Sequence, residues 1–206
     1  SLFTFLLAIG FVQAQVEDAP TALKTAKKLL GNYNLNQKDN SDKLDQAQER
    51  IDFALSDATV GDTYKAWMLK GEIYAALAGR DVQNYGMAQV EGTGKAFALK
   101  SPEAGAMATE AYKMAMQKAR PKKTFEKKAA LKGLQEVVNH LATIGNLQLE
   151  KQNYSNAYTA LNGILDIKTI LDDNGMKTVL QDEAELNNHQ YVTGYCAMQS
   201  DMKAEA

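Results

Sequence analysis

Apolar residues recur at steps of three and four along most of this chain, the signature of amphipathic helices. The pattern is clearest from Leu134 to Ile167. One stretch carries Leu134, Val137, Val138, Leu141, Ile144, Gly145, Gln148 and Leu149, and a second carries Tyr154, Ala157, Tyr158, Leu161, Ile164 and Leu165. Only Lys151-Gln152-Asn153 separates them. So short a turn folds the two helices back on each other as an antiparallel hairpin. Gly145 and Ala157 then fall face to face across it, as small residues that let the helices approach.

The same period predicts helices elsewhere. Ala19 to Leu30 carries Leu23, Ala26, Leu29 and Leu30 and stops at Gly31. A polar loop follows, with Asn40 or Ser41 as the cap of a helix bearing Leu44, Ala47, Ile51, Ala54, Leu55 and Ala58. After a turn at Val60-Gly61-Asp62, Thr63 to Ala78 forms a helix with Trp67, Gly71 and Tyr74 on one side. Residues 79–100, with Gly79, Gly86, Gly92 and Gly94, read as an insertion. Ser101-Pro102-Glu103 opens a helix carrying Ala108, Tyr112 and Ala115. Residues 168–182 read as a second insertion before a last helix, Ala184 to Met198. The fold predicted is all-α, with about seven helices. A glycine inside a helix costs roughly 1 kcal/mol relative to alanine. Gly71 and Gly145 are therefore read as contact points for a neighbouring helix.

These residues resemble the tetratricopeptide repeat. That pattern has a large, a small and an aromatic residue on its first helix, then alanine, an aromatic and alanine on its second. Trp67, Gly71 and Tyr74, answered by Ala108, Tyr112 and Ala115, match it, with Lys70 in place of the usual leucine. Leu141, Gly145, Gln148, Ala157, Leu161 and Ile164 match it again, with Gln148 where tyrosine is usual. The chain is similar to exported tetratricopeptide proteins of Gram-negative bacteria over roughly Leu44 to Met198. The resemblance implies a short α-solenoid of antiparallel hairpins that holds a peptide or protein on its inner surface.

The first residues change the picture of location. Leu2 to Val12 is an apolar run too short to span a bilayer as a helix, and Val12-Gln13-Ala14 follows with small residues at the positions signal peptidase reads. The expectation is a signal peptide over 1–14 and a mature domain over 15–206 beginning at Gln15. That domain carries no transmembrane anchor and is exported to the periplasm or cell envelope, or released. The single cysteine, Cys196, excludes an internal disulfide and reads as a small buried residue.

Charge and chemistry narrow the function. A formal net charge of −2 speaks against a nucleic-acid binder. Gly92-Thr93-Gly94-Lys95-Ala96 lacks the earlier glycine and the following Ser or Thr of a phosphate loop, and Asp172-Asp173-Asn174-Gly175 lacks both end ligands of a calcium loop. His140 and His189 stand in no metal pattern. Asp45, Glu49 and Asp52 read as a solvated face. The expectation is a non-enzymatic protein with no cofactor and no metal. A carbohydrate- or envelope-binding protein, or an accessory domain of a larger assembly, is the competing reading.

Two surfaces are candidates for a partner. Between Lys113 and Lys132, eight cations face one carboxylate, Glu126. Lys118, Arg120, Lys122, Lys123, Lys127 and Lys128 form the centre of this segment, suited to an acidic protein or an anionic polymer. The last helix presents Tyr191, Tyr195 and Met198 where a repeat array usually ends in a polar cap. Either the natural chain continues past Ala206, or this edge docks a partner or a second copy. Self-association through the helix is expected.

Overall fold

The structure is a computed structural model and describes residues 17–200. Over this span the chain forms eight α-helices: α1 (Ala19–Leu35), α2 (Ser41–Leu55), α3 (Ala58–Gly61), α4 (Tyr64–Val90), α5 (Ala104–Lys118), α6 (Thr124–Glu150), α7 (Tyr154–Asp173) and α8 (Glu183–Gln199). A 3₁₀ turn, Gly94–Ala96, lies between α4 and α5. Among the described residues there is no strand, and all seven of the longer helices were legible from periodicity. The signal peptide falls outside the described residues.

Side-chain caps start several helices where the sequence breaks its apolar period. Asp18 accepts from the Thr21 amide at 2.7 Å, Thr63 from that of Ala66 at 3.3 Å, and Asp182 from that of Ala184 at 2.9 Å. Each satisfies an amide that the first helical turn leaves without a partner.

Successive helices pack antiparallel: α1 on α2, α4 on α5, α5 on α6, α6 on α7 and α7 on α8. The contacts fix the directions. Asp62 at the start of α4 meets Lys118 at the end of α5, whereas Asp81 further along α4 accepts the Ser101 amide ahead of α5. Across the joins between hairpins, α2 packs on α4, and α4 on α6. One core runs through the stack, from Leu30, Leu44 and Ile51 through Ile73, Leu77 and Tyr112 to Leu141, Ile164 and Leu171.

Glycines set the closest approaches. A Cβ on Gly71 of α4 would lie 2.5 Å from the Tyr112 ring of α5, and one on Gly133 of α6 would lie 2.4 Å from it. The ring is thus threaded through a slot between two glycines. Real Cβ contacts are never that short, so the slot exists only because both side chains are absent. Gly105 against Leu141 and Gly145 against Leu161 repeat the device at 2.7 and 2.8 Å. Gly145 does pack closely, but its neighbours are Leu161 and Ala160 rather than Ala157. Trp67 is half-buried, its indole donating to the Gly61 carbonyl at 2.6 Å. Tyr74, Ala108, Ala115 and Ala157 are buried.

Three boundary expectations are corrected. Residues 79–90 of the expected insertion are helical, because α4 continues through Gly79 and Gly86 to Val90, and 91–100 hold only the 3₁₀ turn. Likewise α1 passes through Gly31 to Leu35, and α7 takes residues 168–173 out of the second supposed insertion. In each case tertiary contacts beyond the expected stop outweigh the local penalty: buried Tyr33 in α1, buried Ala88 and the Arg80–Asp45 pair in α4, and buried Leu171 in α7.

A further correction concerns the acidic face of α2. Asp52 accepts from the Tyr74 hydroxyl at 2.6 Å and pairs with Lys70 at 2.8 Å, while Asp45 pairs with Arg80 at 2.9 Å. Asp45 and Asp52 are anchors between α2 and α4 rather than a solvated face. Lys70, the departure from the repeat pattern, also lies over the Trp67 and Tyr74 rings, 5.9 and 5.1 Å from their centroids.

Candidate functional site

A trough runs along the seam where α1 and α4 meet and, in its middle, where α6 joins them. Its first part is a cavity of about 320 Å³ with Lys24, Lys27, Lys65 and Glu72 on its walls. Glu72 also lines a middle cavity of about 390 Å³, shared with Tyr33, Gly79, Tyr112, Glu136 and His140. Tyr33, Gln37, Arg80 and Gln83 are common to that cavity and to a third of about 330 Å³. The three form one line along α4 from Tyr64 to Met87. At 1.5 Å rise per residue this is roughly 35 Å, the span of about ten residues of extended peptide.

Polar groups without partners collect in the middle of the trough. Tyr112 belongs to α5, behind the seam, and reaches the trough floor through its glycine slot. It is buried, and its hydroxyl makes no hydrogen bond among the described residues. Burial raises its pKa, and the nearby charges of Glu72 and Glu136 add to that. His140 keeps an unpartnered, buried Nδ1. Burial holds its imidazole below the usual pKa, with Glu136 pulling the other way, so the ring is neutral at pH 7. Its ring occupies space opened by Gly79, where a Cβ would lie 3.2 Å away. Arg80 is buried with Nε and Nη2 unpartnered. Glu72 is open to solvent, yet the concave wall crowds it and raises its carboxyl, an effect that Lys27 partly offsets.

The structure disperses much of the basic segment. Arg120 is bonded to Glu126 from its guanidinium and from its backbone amide, the latter at 3.0 Å. Lys118 pairs with Asp62, Lys113 with Glu110 at 2.7 Å, and Lys132 with Glu136 at 3.6 Å. Glu126 is itself buried, and Arg120 holds its carboxyl down to about 2. It therefore locks the α5–α6 connection rather than standing in water. Lys122, Lys123, Lys127 and Lys128 remain in no ion pair among the described residues. They surround Phe125, which is exposed at the start of α6.

The last helix keeps Cys196 and Ala197 buried against α7, with the His189 Nε2 and the Leu161 carbonyl 2.8 Å apart. Tyr191 is 74% exposed and Met198 59%, while Tyr195 packs edge-on against Tyr154 with ring centroids 5.8 Å apart. The apolar edge is on the surface, some distance in sequence and fold from the trough.

Sequence reasoning placed Gly71, Tyr112 and Tyr74 in the packing motif. It missed Gly133, Tyr33, Glu72, Gly79, Arg80 and His140 as parts of one groove. The signal available was Gly79-Arg80-Asp81, a glycine and two charges inside what proves to be a buried helical face. Among the described residues, no group of His, Cys, Asp and Glu is arranged to hold a metal, and no helix is long and apolar enough to cross a membrane. Comparison with protein-family models, curated proteins and solved structures finds no match.

Proposed function

We propose that this chain is a non-enzymatic scaffold of tetratricopeptide-like architecture that holds an extended peptide in the trough of α1, α4 and α6. The observation that carries the reading is the middle cavity. Its walls bring together the Tyr112 hydroxyl, the His140 Nδ1 and Arg80, and the His140 Nδ1 and the Nε and Nη2 of Arg80 are buried without partners in the chain. Buried polar groups are normally satisfied, and leaving one unmet costs about 1–3 kcal/mol. A peptide backbone supplies carbonyl and amide groups at the right density to satisfy them. The order of helix packing supports the architecture, since first helices α4 and α6 lie side by side with second helices behind them. In keeping with the leader-like start, the protein acts in the periplasm or cell envelope.

Selection of a random-peptide library on the full chain tests this reading. Enriched peptides are then titrated against the native chain and against Ala76→Trp, which fills the middle cavity from α4. Saturable binding that falls by at least about tenfold in the variant is expected. Failure to enrich any peptide, or equal binding to both chains, would overturn it.

A further inference from the structure

We infer that the cavity at the α2 end of the trough, which shares Arg80 with the peptide reading, is a carboxylate site in which the Nε–Nη2 edge of Arg80 holds the ligand side-on. Arg80 is only 6% exposed. Its Nη1 is occupied, pairing with Asp45 at 2.9 Å and donating to the Ser41 carbonyl at 3.3 Å. Nε and Nη2 are buried without a partner. A guanidinium offers five N–H groups in a planar fork, and a carboxylate matches two parallel donors of such an edge. Here one side of the fork is fixed by the protein, and the other is buried with no partner in the chain.

The surroundings favour an anion. Asp45 is shared between Arg80 and Lys100, the latter at 2.5 Å, and Asp81 is the second carboxylate within electrostatic reach of both cations. Lys38 stands on the cavity wall and makes no ion pair among the described residues. Ser41, the first residue of α2, lines the cavity as well. The cap residue Asn40 makes no side-chain bond to the helix and donates instead to the Asn32 carbonyl at 2.9 Å. The positive end of α2 is therefore uncapped beside the unpartnered edge of Arg80. Of the nearby carboxylates, Asp42 is engaged with Lys43 and Gln46 and Asp39 with Asn36, while Asp81 accepts the Ser101 amide with Oδ2 and keeps Oδ1 buried without a partner. None of them lines the cavity. Its remaining wall is Tyr33, the amides of Gln37, Gln83 and Asn84 and the exposed thioether of Met87, and its volume of about 330 Å³ suits one residue-sized group.

Two sources carry this chemistry, the carboxyl terminus of a polypeptide and a free dicarboxylic acid. The test follows the ¹⁵N resonance of the Arg80 Nε–H in the full chain. The probes are glutarate, an alanine-based hexapeptide with a free carboxyl terminus, and the same hexapeptide as its amide. A saturable shift with a free carboxylate, and none with the amide, is expected. A response to the acid peptide alone assigns the site to chain termini, and a response to glutarate alone assigns it to small acids. Gln83→Glu puts a carboxylate on the cavity wall while leaving the Arg80–Asp45 pair intact. It should weaken binding by at least about tenfold without moving the melting temperature. Arg80→Lys keeps the charge but not the planar edge, and should lose the site. The proposal is overturned if no free carboxylate shifts the resonance at about 10 mM, a concentration above any specific affinity. It is equally overturned if the amide or inorganic phosphate shifts it as well as the carboxylates do, or if Gln83→Glu binds unchanged. Because Ala76 lies outside this cavity and Gln83 lines both, the two readings separate on Ala76→Trp, which should lose peptide binding and keep carboxylate binding.

Discussion

The trough between α1, α4 and α6 and the outer face of α8 are both uncovered, but they lack different things. The trough leaves buried hydrogen-bonding groups unmet: the His140 Nδ1 and one edge of Arg80. The α8 face leaves apolar area unmet through Tyr191 and Met198. Unmet polar groups are directional, so they specify the geometry and chemistry of what fills them. Unmet apolar area is non-directional and specifies only that something associates. A specific ligand is therefore expected in the trough, and concentration-dependent association on α8.

The largest effect tests the floor of the trough. Gly133→Leu places a branched side chain where even a Cβ would lie 2.4 Å from the Tyr112 ring. Because Gly71 blocks the ring on its other side, the tyrosine has no direction of retreat. A loss of about 1–3 kcal/mol in urea melts is expected, together with loss of trough binding. An unchanged midpoint would mean that the slot does not form.

The α8 face is tested by Tyr191→Glu and Met198→Glu. Sedimentation of the native chain should show association that increases with concentration, and either substitution should reduce it without lowering the melting temperature. A native chain that is monomeric at all concentrations would remove this half of the comparison.

Acid should loosen the α5–α6 connection. Glu126 has a folded pKa of about 2 against an ordinary value of 4.5, because Arg120 stabilises its charged form. A depressed carboxylate pKa contributes stability that is complete above pH 4.5 and is lost as pH falls from there toward 2. Glu126→Gln should lower the melting temperature at pH 7 and flatten its decline over that window. A variant whose acid decline matches that of the native chain would contradict the assignment.

The smallest effect separates two kinds of glycine. Gly31 in α1 and Gly86 in α4 have no atom within 4 Å of a built Cβ. Alanine at either site should stabilise the chain by about 0.5–1 kcal/mol, the opposite sign to any substitution at Gly133.

This contrast explains what was legible in the sequence. Helices appeared because buried residues repeat at a fixed step, and Gly71 and Gly145 stood out because a glycine at the centre of a strong apolar stripe needs a neighbour. Gly133 looked ordinary beside the lysines of 127–132, since nothing local reveals that Tyr112 passes it. The trough was not legible for the same reason: its residues lie on three helices, and each helix separately shows only a mixed polar face. Gly79 and Gly86 misled in the other direction. They suggested a loop where the Arg80–Asp45 pair and the burial of Ala88 sustain a helix.

The most direct test of the central claim is a chemical-shift map of the full chain with a peptide selected on it. The account predicts perturbations along α1 and α4, centred on Lys27, Glu72 and Arg80, and reaching His140 on α6, with residues 122–128 and the outer face of α8 unchanged. Perturbations confined to Lys122, Lys123, Phe125, Lys127 and Lys128, or to Tyr191 and Met198, would contradict it.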